Sequence, residues 1–139
     1  MATFITSQII IAFMAGWLIL NIVGDWLLFK KAGKPGWHSI IPILNIWDEY
    51  DICWSGSMGM AAFVLMVAAQ SANSSSNNII AFCGLAAGIA YLIIHFKESM
   101  KLARAFGKGT GYGLILFFFD RIGRVILGLG SAKYIGKES

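Results

Sequence analysis

The sequence predicts an all-α integral membrane protein with four transmembrane helices and a short interfacial or re-entrant helix after the first span. Hydrophobic residues make up 58% of the 139 residues and charged residues only 13%, against about 45–50% and about 25% in ordinary soluble domains. The apolar residues also fall in runs close to the roughly 20 residues that a helix needs to cross a bilayer. Because a chain of this length forms one domain, residues 1–139 are interpreted as a single polytopic membrane domain.

The first span is predicted at residues 7–29. Its apolar run ends in Lys30 and Lys31, which suit the negative end of the helix dipole, and Gly33 suits a left-handed helix C-cap. No basic residue precedes the run, so it is interpreted as an uncleaved span and not as a secretory signal. The residues that follow, 34–36, predict a turn.

Residues 37–50 are too short and too polar to span, and they predict an amphipathic helix that lies at the membrane surface or re-enters it. The apolar residues recur at helical spacing: Trp37, Ile40, Ile41, Leu44 and Trp47. Aromatic side chains in and after this segment are expected to anchor it at the level of the lipid headgroups. These anchors are Trp37, Trp47, Tyr50 and Trp54.

Three further spans are predicted at residues 52–72, 79–96 and 111–129. The third contains Gly84 and Gly88. Small residues at this spacing are typical of membrane helices that pack closely. The motif therefore predicts a tight helix contact, but it does not identify the partner helix.

Lysine and arginine residues are distributed unevenly between the loops. Most of them follow the first and third spans: Lys30, Lys31, Lys34, Lys97, Lys101, Arg104 and Lys108. In this four-span topology the opposite side carries Lys133 and Lys137. The positive-inside rule then predicts a multi-pass plasma-membrane protein with cytoplasmic basic loops and both termini outside.

Five polar side chains within the predicted spans are the candidate functional residues: Asn21, Asp25, Asp120, Arg121 and Arg124. A charge at bilayer depth costs at least about 2.5–3.5 kcal/mol, so these groups should pair or face a wet cavity. Three interpretations stay open. The residues line a polar path for an ion, proton or anionic solute; they form an ion-pair network that fixes helix register or an oligomer contact; or the fourth span does not cross fully and its charges lie at an interface.

No catalytic, cofactor-binding or metal-binding residue is predicted, and an enzyme is not expected. The glycine-rich turn at residues 107–111 lacks the Gly-Lys-Ser/Thr order of a phosphate loop. The two histidines, His38 and His95, are isolated, and Cys53 and Cys83 form neither a metal motif nor a disulfide framework. No basic stripe with interleaved aromatic residues predicts nucleic-acid binding. The expected partners are the lipid bilayer and either copies of the chain or other membrane subunits.

Three segments resemble a domain-of-unknown-function family of small bacterial membrane proteins. They are residues 29–45 (FKKAGKPGWHSIIPILN), 102–111 (LARAFGKGTG) and 126–134 (ILGLGSAKY). The resemblance implies a multi-span inner-membrane protein, and some members of that family are joined to signal peptidase domains. It implies no catalytic residues. In place of the apolar, proline-containing stretch of the family's last span, this chain has the charged sequence of residues 119–124.

The function expected from the sequence is that of a non-enzymatic membrane module with an assembly or accessory role. It would pack with copies of itself or with other membrane subunits through Gly84, Gly88 and the charged fourth span. The alternative is a small oligomeric channel or transporter whose path is lined by the five polar residues of the spans. Neither the solute nor the oligomeric state follows from the sequence.

Overall fold

The computed structural model describes residues 1–137 of the chain. Within that part the chain forms six α-helices and one 3₁₀ helix and contains no strand, so the all-helical prediction is confirmed. In chain order these are α1 (Ala2–Lys31), the 3₁₀ helix (Gly36–Ser39), α2 (Pro42–Asp51), α3 (Gly56–Asn73), α4 (Asn78–Ala105), α5 (Thr110–Phe118) and α6 (Asp120–Leu129).

Two of the described helices, α1 and α4, are long and apolar enough to cross a membrane. With 30 and 28 residues and a rise of about 1.5 Å per residue, each exceeds the hydrocarbon core of about 30 Å. The predicted second span corresponds to α3, which has 18 residues. The side chain of Asn77 begins α4, because its Oδ1 accepts a hydrogen bond from the Ile79 N–H at 2.9 Å.

The predicted fourth span, residues 111–129, is not one continuous helix. Phe119 has φ −129° and ψ 50°, so the helix ends there and a new one begins. The resulting α5 and α6 have 9 and 10 residues, about 15 Å each at the α-helical rise. Neither is long enough to cross a bilayer. The break turns Asp120 and Arg124 toward the interior of the protein, where they meet carboxylates of other helices.

Helices α5 and α6 form a hairpin that returns to its starting end. Phe117 of α5 packs on Phe96 of α4, with ring centroids 5.4 Å apart, so α5 runs back along α4. Helix α6 then runs parallel to α1, and Lys31 Nζ donates to the carbonyl oxygen of Leu127 at 2.6 Å. Past α6, the N–H of Ile135 donates to Ala105 O at 2.8 Å. Residues 130–137 therefore lie where α1 and α4 end.

We call this the basic end of the protein, because lysine and arginine residues surround it. Met1 lies at the opposite end, about 45 Å away along the 30 residues of α1. Residues 130–137 lie away from Met1 because of the break at Phe119, since a hairpin brings the chain back whereas a continuous helix would carry it across.

The buried core lies near the basic end. It is formed by Leu28, Phe29, Ile52, Cys53, Leu102, Ala103, Ala105, Phe106, Leu116 and Leu127. In the other half of the protein, every residue from 2 to 20 of α1 is exposed. There α3 and α4 pack on each other, and Gly84 allows this because a Cβ atom at that position would overlap the Cβ of Ala72.

Two short helices each bury a charged residue and expose apolar ones. In α2, Ile43 is 58% exposed whereas Glu49 is 8% exposed. In α6, Ile126 is 52% exposed whereas Arg124 is 3% exposed. This is the reverse of a helix on the surface of a water-soluble protein, whose charged face lies outward.

Candidate functional site

Arg124 joins carboxylates from three helices inside the protein. Its Nη1 lies 2.7 Å from Glu49 Oε2 of α2 and 3.6 Å from Asp25 Oδ1 of α1, and its Nη2 lies 2.7 Å from Asp120 Oδ2 one helical turn earlier in α6. The Arg124 side chain is 4% exposed. Buried charges persist only where they are paired, so these contacts determine where α6 sits against α1 and α2.

A fourth carboxylate, Glu98 of α4, approaches the same place. Glu98 is completely buried, and its Oε2 lies 3.6 Å from His95 Nδ1 and 3.5 Å from Ser99 Oγ. One oxygen atom of Glu98, one of Glu49 and one of Asp120 lie within 4.8 Å of one another. We call the set of Asp25, Glu49, Glu98, Asp120 and Arg124 the polar centre.

Small residues allow the close helix approach that forms the polar centre. A Cβ atom added to Gly24 of α1 would lie 2.9 Å from Val125 Cγ2 of α6. A Cβ atom added to Gly128 would overlap the carbonyl oxygen of Gly24. The two backbones therefore touch at this point, and Asp25, the residue after Gly24, reaches Arg124.

A cavity of about 170 Å³ opens beside the polar centre. Its polar walls are formed by Glu49, Tyr50, Tyr91, His95, Asp120, Arg121 and Arg124. A wider groove of about 620 Å³ follows the exposed part of α1. It is lined by Ile11, Phe13, Met14, Ala15, Trp17, Leu18, Asn21 and Arg121. Arg121 belongs to both linings, so it lies between the polar cavity and the apolar groove.

Several polar atoms of this region are buried without a hydrogen-bond partner in the described part of the chain. They include Glu98 Oε1, Asp120 Oδ1 and Arg124 Nε. More than about 90% of buried polar groups in proteins are hydrogen-bonded. The polar centre is therefore under-satisfied by the chain itself and suits occupation by water or by an ion.

A second charged cluster closes the site toward the basic end. Lys34 Nζ lies 2.5 Å from Asp51 Oδ2 and 3.7 Å from Asp48 Oδ1, and His38 Nδ1 contacts Asp48. The hydrogen bond from Lys34 lowers the pKa of Asp51, and the same bond raises the pKa of Lys34. Deeper in α2, which does not span, burial raises the pKa of Glu49 to about 7, while the Arg124 guanidinium opposes part of that rise.

The three helices that converge on the site after α1 all lie in a stretch that matches a known family. The profile of a family of unknown function (DUF5684) matches residues 37–137, most of the chain. The chain belongs to this family. The chain itself matches none of the curated proteins and none of the solved structures.

Membership confirms the resemblance to a family without a known function. The matched residues of the family profile contain α2 to α6 and therefore Glu49, Glu98, Asp120 and Arg124. They do not contain α1, so Asp25 reaches the polar centre from outside the match.

The structure brings together Asp25, Asp120 and Arg124, three of the five polar residues singled out in the sequence. Arg121, one residue after Asp120, is exposed between the cavity and the groove, and within residues 1–137 it forms no ion pair. Asn21 donates a hydrogen bond to Trp17 O of its own helix at 2.7 Å and lines only the groove.

The predicted helix-packing residues are used within the chain. Gly84 meets Ala72 of α3, and a Cβ atom added to Gly88 would lie 3.7 Å from the Cβ of Ala69. Five of the described helices, α1, α2, α3, α4 and α6, are thus held by contacts of this kind or by Arg124. In this structure, neither Gly84 nor the Arg124 side chain is left for an external partner.

Among the predicted aromatic anchors, Trp37 and Trp47 are 49% and 43% exposed. Trp54 is half-buried, and the Lys101 ammonium lies 5.5 Å from its ring centroid. Tyr50 differs from the prediction, because it is only 5% exposed and lines the cavity. Its position follows from α2, whose polar side faces the protein interior.

Sequence reasoning missed Glu49 and Glu98. Glu49 lies in the segment 37–50 that predicts an amphipathic surface helix, and Glu98 lies between the basic residues Lys97 and Lys101. Helical spacing carried the missing signal: Glu98 lies three residues after His95 and seven after Tyr91, so the three share one face of α4. An acidic residue on this face of α4, next to another span with polar residues, would have predicted that Glu98 lies in the protein interior.

Proposed function

We propose that the protein is a membrane protein in which α1, α3 and α4 cross the bilayer and the α5–α6 hairpin enters and leaves from the cytoplasmic side. The apolar surfaces of α2 and α6 support this topology, because they suit lipid and not water. Charge supports it as well. With residues 130–137 at the basic end, Lys133 and Lys137 join the other basic loops on one side, as the positive-inside rule requires of a cytoplasmic face.

In this membrane the protein acts as a small oligomeric channel or transporter for a cation, protons included. One observation carries the proposal: Arg121 lines both the cavity beside the polar centre and the groove along α1. Together they form a route from the carboxylates of the hairpin toward the other side of the bilayer. Broken helices at membrane depth are tolerated where they line a cavity and are typical of transporter binding sites.

The groove has no wall from the described chain on its outer side, because residues 2–20 of α1 are exposed throughout. An ion that passed Arg121 would meet lipid unless another helix covered the groove. A second copy of the chain would complete it. Transport is therefore the activity of an oligomer, and no chemical step is part of it.

Arg121→Gln tests the transport proposal with little effect on the fold, because Arg121 forms no ion pair within residues 1–137. The protein is reconstituted into liposomes, and cation entry is followed with a pH-sensitive and a metal-sensitive dye. We expect Arg121→Gln to change the flux by about tenfold, which corresponds to about 1.4 kcal/mol in the barrier. The matched control is Lys133→Gln, an exposed basic residue in the tail.

Unchanged flux in Arg121→Gln, with normal flux in the control, would contradict the proposed path. Absence of flux in the wild-type protein, shown to be folded by circular dichroism, would contradict transport itself. A flux that falls equally in both variants would show a general effect of surface charge.

A second candidate function is that of an assembly subunit, and the exposed half of α1 favours it. Residues 2–20 of α1, most of them apolar or small, are exposed and suit a helix–helix contact with a different membrane protein. Native mass spectrometry of the protein, extracted gently from its own membrane, separates the two candidates. A closed homo-oligomer supports transport, and a stable complex with unrelated subunits supports the accessory role.

A further inference from the structure

Three carboxylates from three different helices converge in the polar centre. Glu49 comes from α2, Glu98 from α4 and Asp120 from α6, and one oxygen atom of each lies within 4.8 Å of the others. Two ligand oxygens on opposite sides of a hard divalent ion, each at about 2.0–2.6 Å, are separated by at most about 4.0–5.2 Å. The three oxygen atoms therefore already lie at the spacing of a shared ion.

The negative charge of the cluster exceeds its positive charge. Asp25, Glu49, Glu98 and Asp120 surround a single buried guanidinium, that of Arg124. Like charges this close strongly disfavour one another's ionisation. A bound cation would remove that repulsion.

Unpartnered oxygen atoms supply a second and independent observation. Arg124 engages Glu49 Oε2 and Asp120 Oδ2, and this leaves Asp120 Oδ1 without a partner in the described chain. Glu98 has no exposed surface, and its Oε1 also has no hydrogen-bond partner there. A fully buried carboxylate that belongs to the cluster and has an unpartnered oxygen suits an ion site.

We propose that Glu49, Glu98 and Asp120 form a binding site for a divalent metal ion of the oxygen-preferring class. Carboxylate ligands suit Mg²⁺, Ca²⁺ and Mn²⁺. The adjacent cavity of about 170 Å³ provides room for water molecules that complete the coordination sphere. The Nδ1 atom of His95 lies 3.6 Å from Glu98 Oε2. His95 therefore helps to orient Glu98, as residues next to metal ligands commonly do.

The metal site extends the proposed function, because it identifies the transported cation as divalent. Its role as a transport site rests on that proposed function. Binding itself does not depend on transport, since a resident ion would also hold α2, α4 and α6 together.

Mn²⁺ binding to the full-length protein in lipid nanodiscs tests the site. Electron paramagnetic resonance distinguishes free from bound Mn²⁺, and we expect about one bound ion per chain with a dissociation constant below about 1 mM, the weakest range of protein Ca²⁺ sites. Glu98→Gln should weaken binding at least about tenfold, or about 1.4 kcal/mol. Asp120→Asn should do the same, and its retained side-chain oxygen can still accept from Arg124.

The matched control is Asp51→Asn, the same chemical change in a carboxylate that pairs with Lys34 outside the polar centre. It should leave Mn²⁺ affinity unchanged. Because Glu98→Gln alters a buried residue, its fold is checked by circular dichroism, and Asp120→Asn, which is partly exposed, keeps the test independent of that result.

The outcomes separate the site from transport. Mn²⁺ binding that is weakened by both variants supports the site, and if liposome flux is then absent, the transport proposal falls while the site stands. Mn²⁺ binding that persists in both variants, or no binding at about 1 mM, overturns the site. Proton flux in a protein that binds no Mn²⁺ also overturns the site and leaves transport, with protons as the cation.

Discussion

Different interactions stabilise the half of the protein near the basic end and the opposite half. At the basic end, residues such as Leu28, Phe29, Leu102 and Leu116 have no exposed surface, and hydrogen bonds from Lys31 and Ile135 join distant parts of the chain. In the opposite half every residue of α1 from 2 to 20 is exposed. Contacts within the chain therefore specify the first half, and lipid or a partner must solvate the second.

The polar centre lies at the boundary between these halves. On one side the packed core excludes water and strengthens its ion pairs. On the other side the groove along α1 begins at Arg121. A site that is held rigidly by the packed core and is open toward the groove suits binding followed by release.

The largest expected difference between the halves concerns two arginines of α6. Arg124→Met leaves the carboxylates of Asp25, Glu49 and Asp120 without their shared cation, and loss of one partner of a buried ion pair lowers the free energy of unfolding by about 3–5 kcal/mol. Arg121→Met makes the same change at an exposed side chain and should lower it by less than about 0.5 kcal/mol. Thermal unfolding in detergent, followed by circular dichroism, measures both. Equal effects would show that the network of Arg124 does not hold the fold.

A smaller difference is expected for two glycines. A Cβ atom at Gly128 would overlap the backbone of Gly24, so Gly128→Ala must push α6 away from α1 and should lower the free energy of unfolding by about 1–3 kcal/mol. At Gly16 no atom lies within 4 Å of the added Cβ. Gly16→Ala should therefore raise stability by up to about 1 kcal/mol through helix propensity. The same unfolding assay compares them, and a destabilising Gly16→Ala would mean that α1 packs against something at that level.

The smallest effect concerns the ion pair between Lys34 and Asp51 at the basic end. Because the pKa of Asp51 is lowered below its ordinary 3.8, the pair stabilises the folded state above that pH, and the contribution is lost as the pH falls through the lower folded-state pKa. Asp51→Asn should cost at most about 1 kcal/mol at neutral pH, since the pair is partly exposed. Wild-type and variant stabilities should converge as unfolding is measured at successively lower pH below 3.8. A difference that stays constant with pH would exclude this ion pair as its cause.

Sequence patterns located the long helices well, and the reason is physical. Apolar runs of membrane length dictate α1 and the first part of α4, because no other structure satisfies their backbone in lipid. The interfacial segment was also predicted near its observed position, since Pro42 can occupy only the first turn of a helix. Helix α4 continues past the predicted end of the third span at residue 96 to Ala105.

An incomplete fourth span was one of the three interpretations that the sequence left open, but the position of the break at Phe119 could not be read from it. No proline or glycine occupies that position, although the charged residues Asp120 and Arg121 follow it directly. What fixes the break is the pairing of Arg124 with Glu49 and Asp25, which are 75 and 99 residues away along the chain. Such distant contacts decide tertiary structure without leaving a local pattern.

The path of α5 and α6 decides the whole account, because a continuous fourth span would carry Asp120 and Arg124 out of the polar centre. Single cysteines in place of Ala2, Lys108 and Lys133, in a Cys83→Ala background, report the topology through labelling by a membrane-impermeant maleimide. We expect Lys133→Cys to be labelled from the same side as Lys108→Cys, and Ala2→Cys from the other side. Labelling of Lys133→Cys from the side of Ala2→Cys would contradict the hairpin and with it the polar centre.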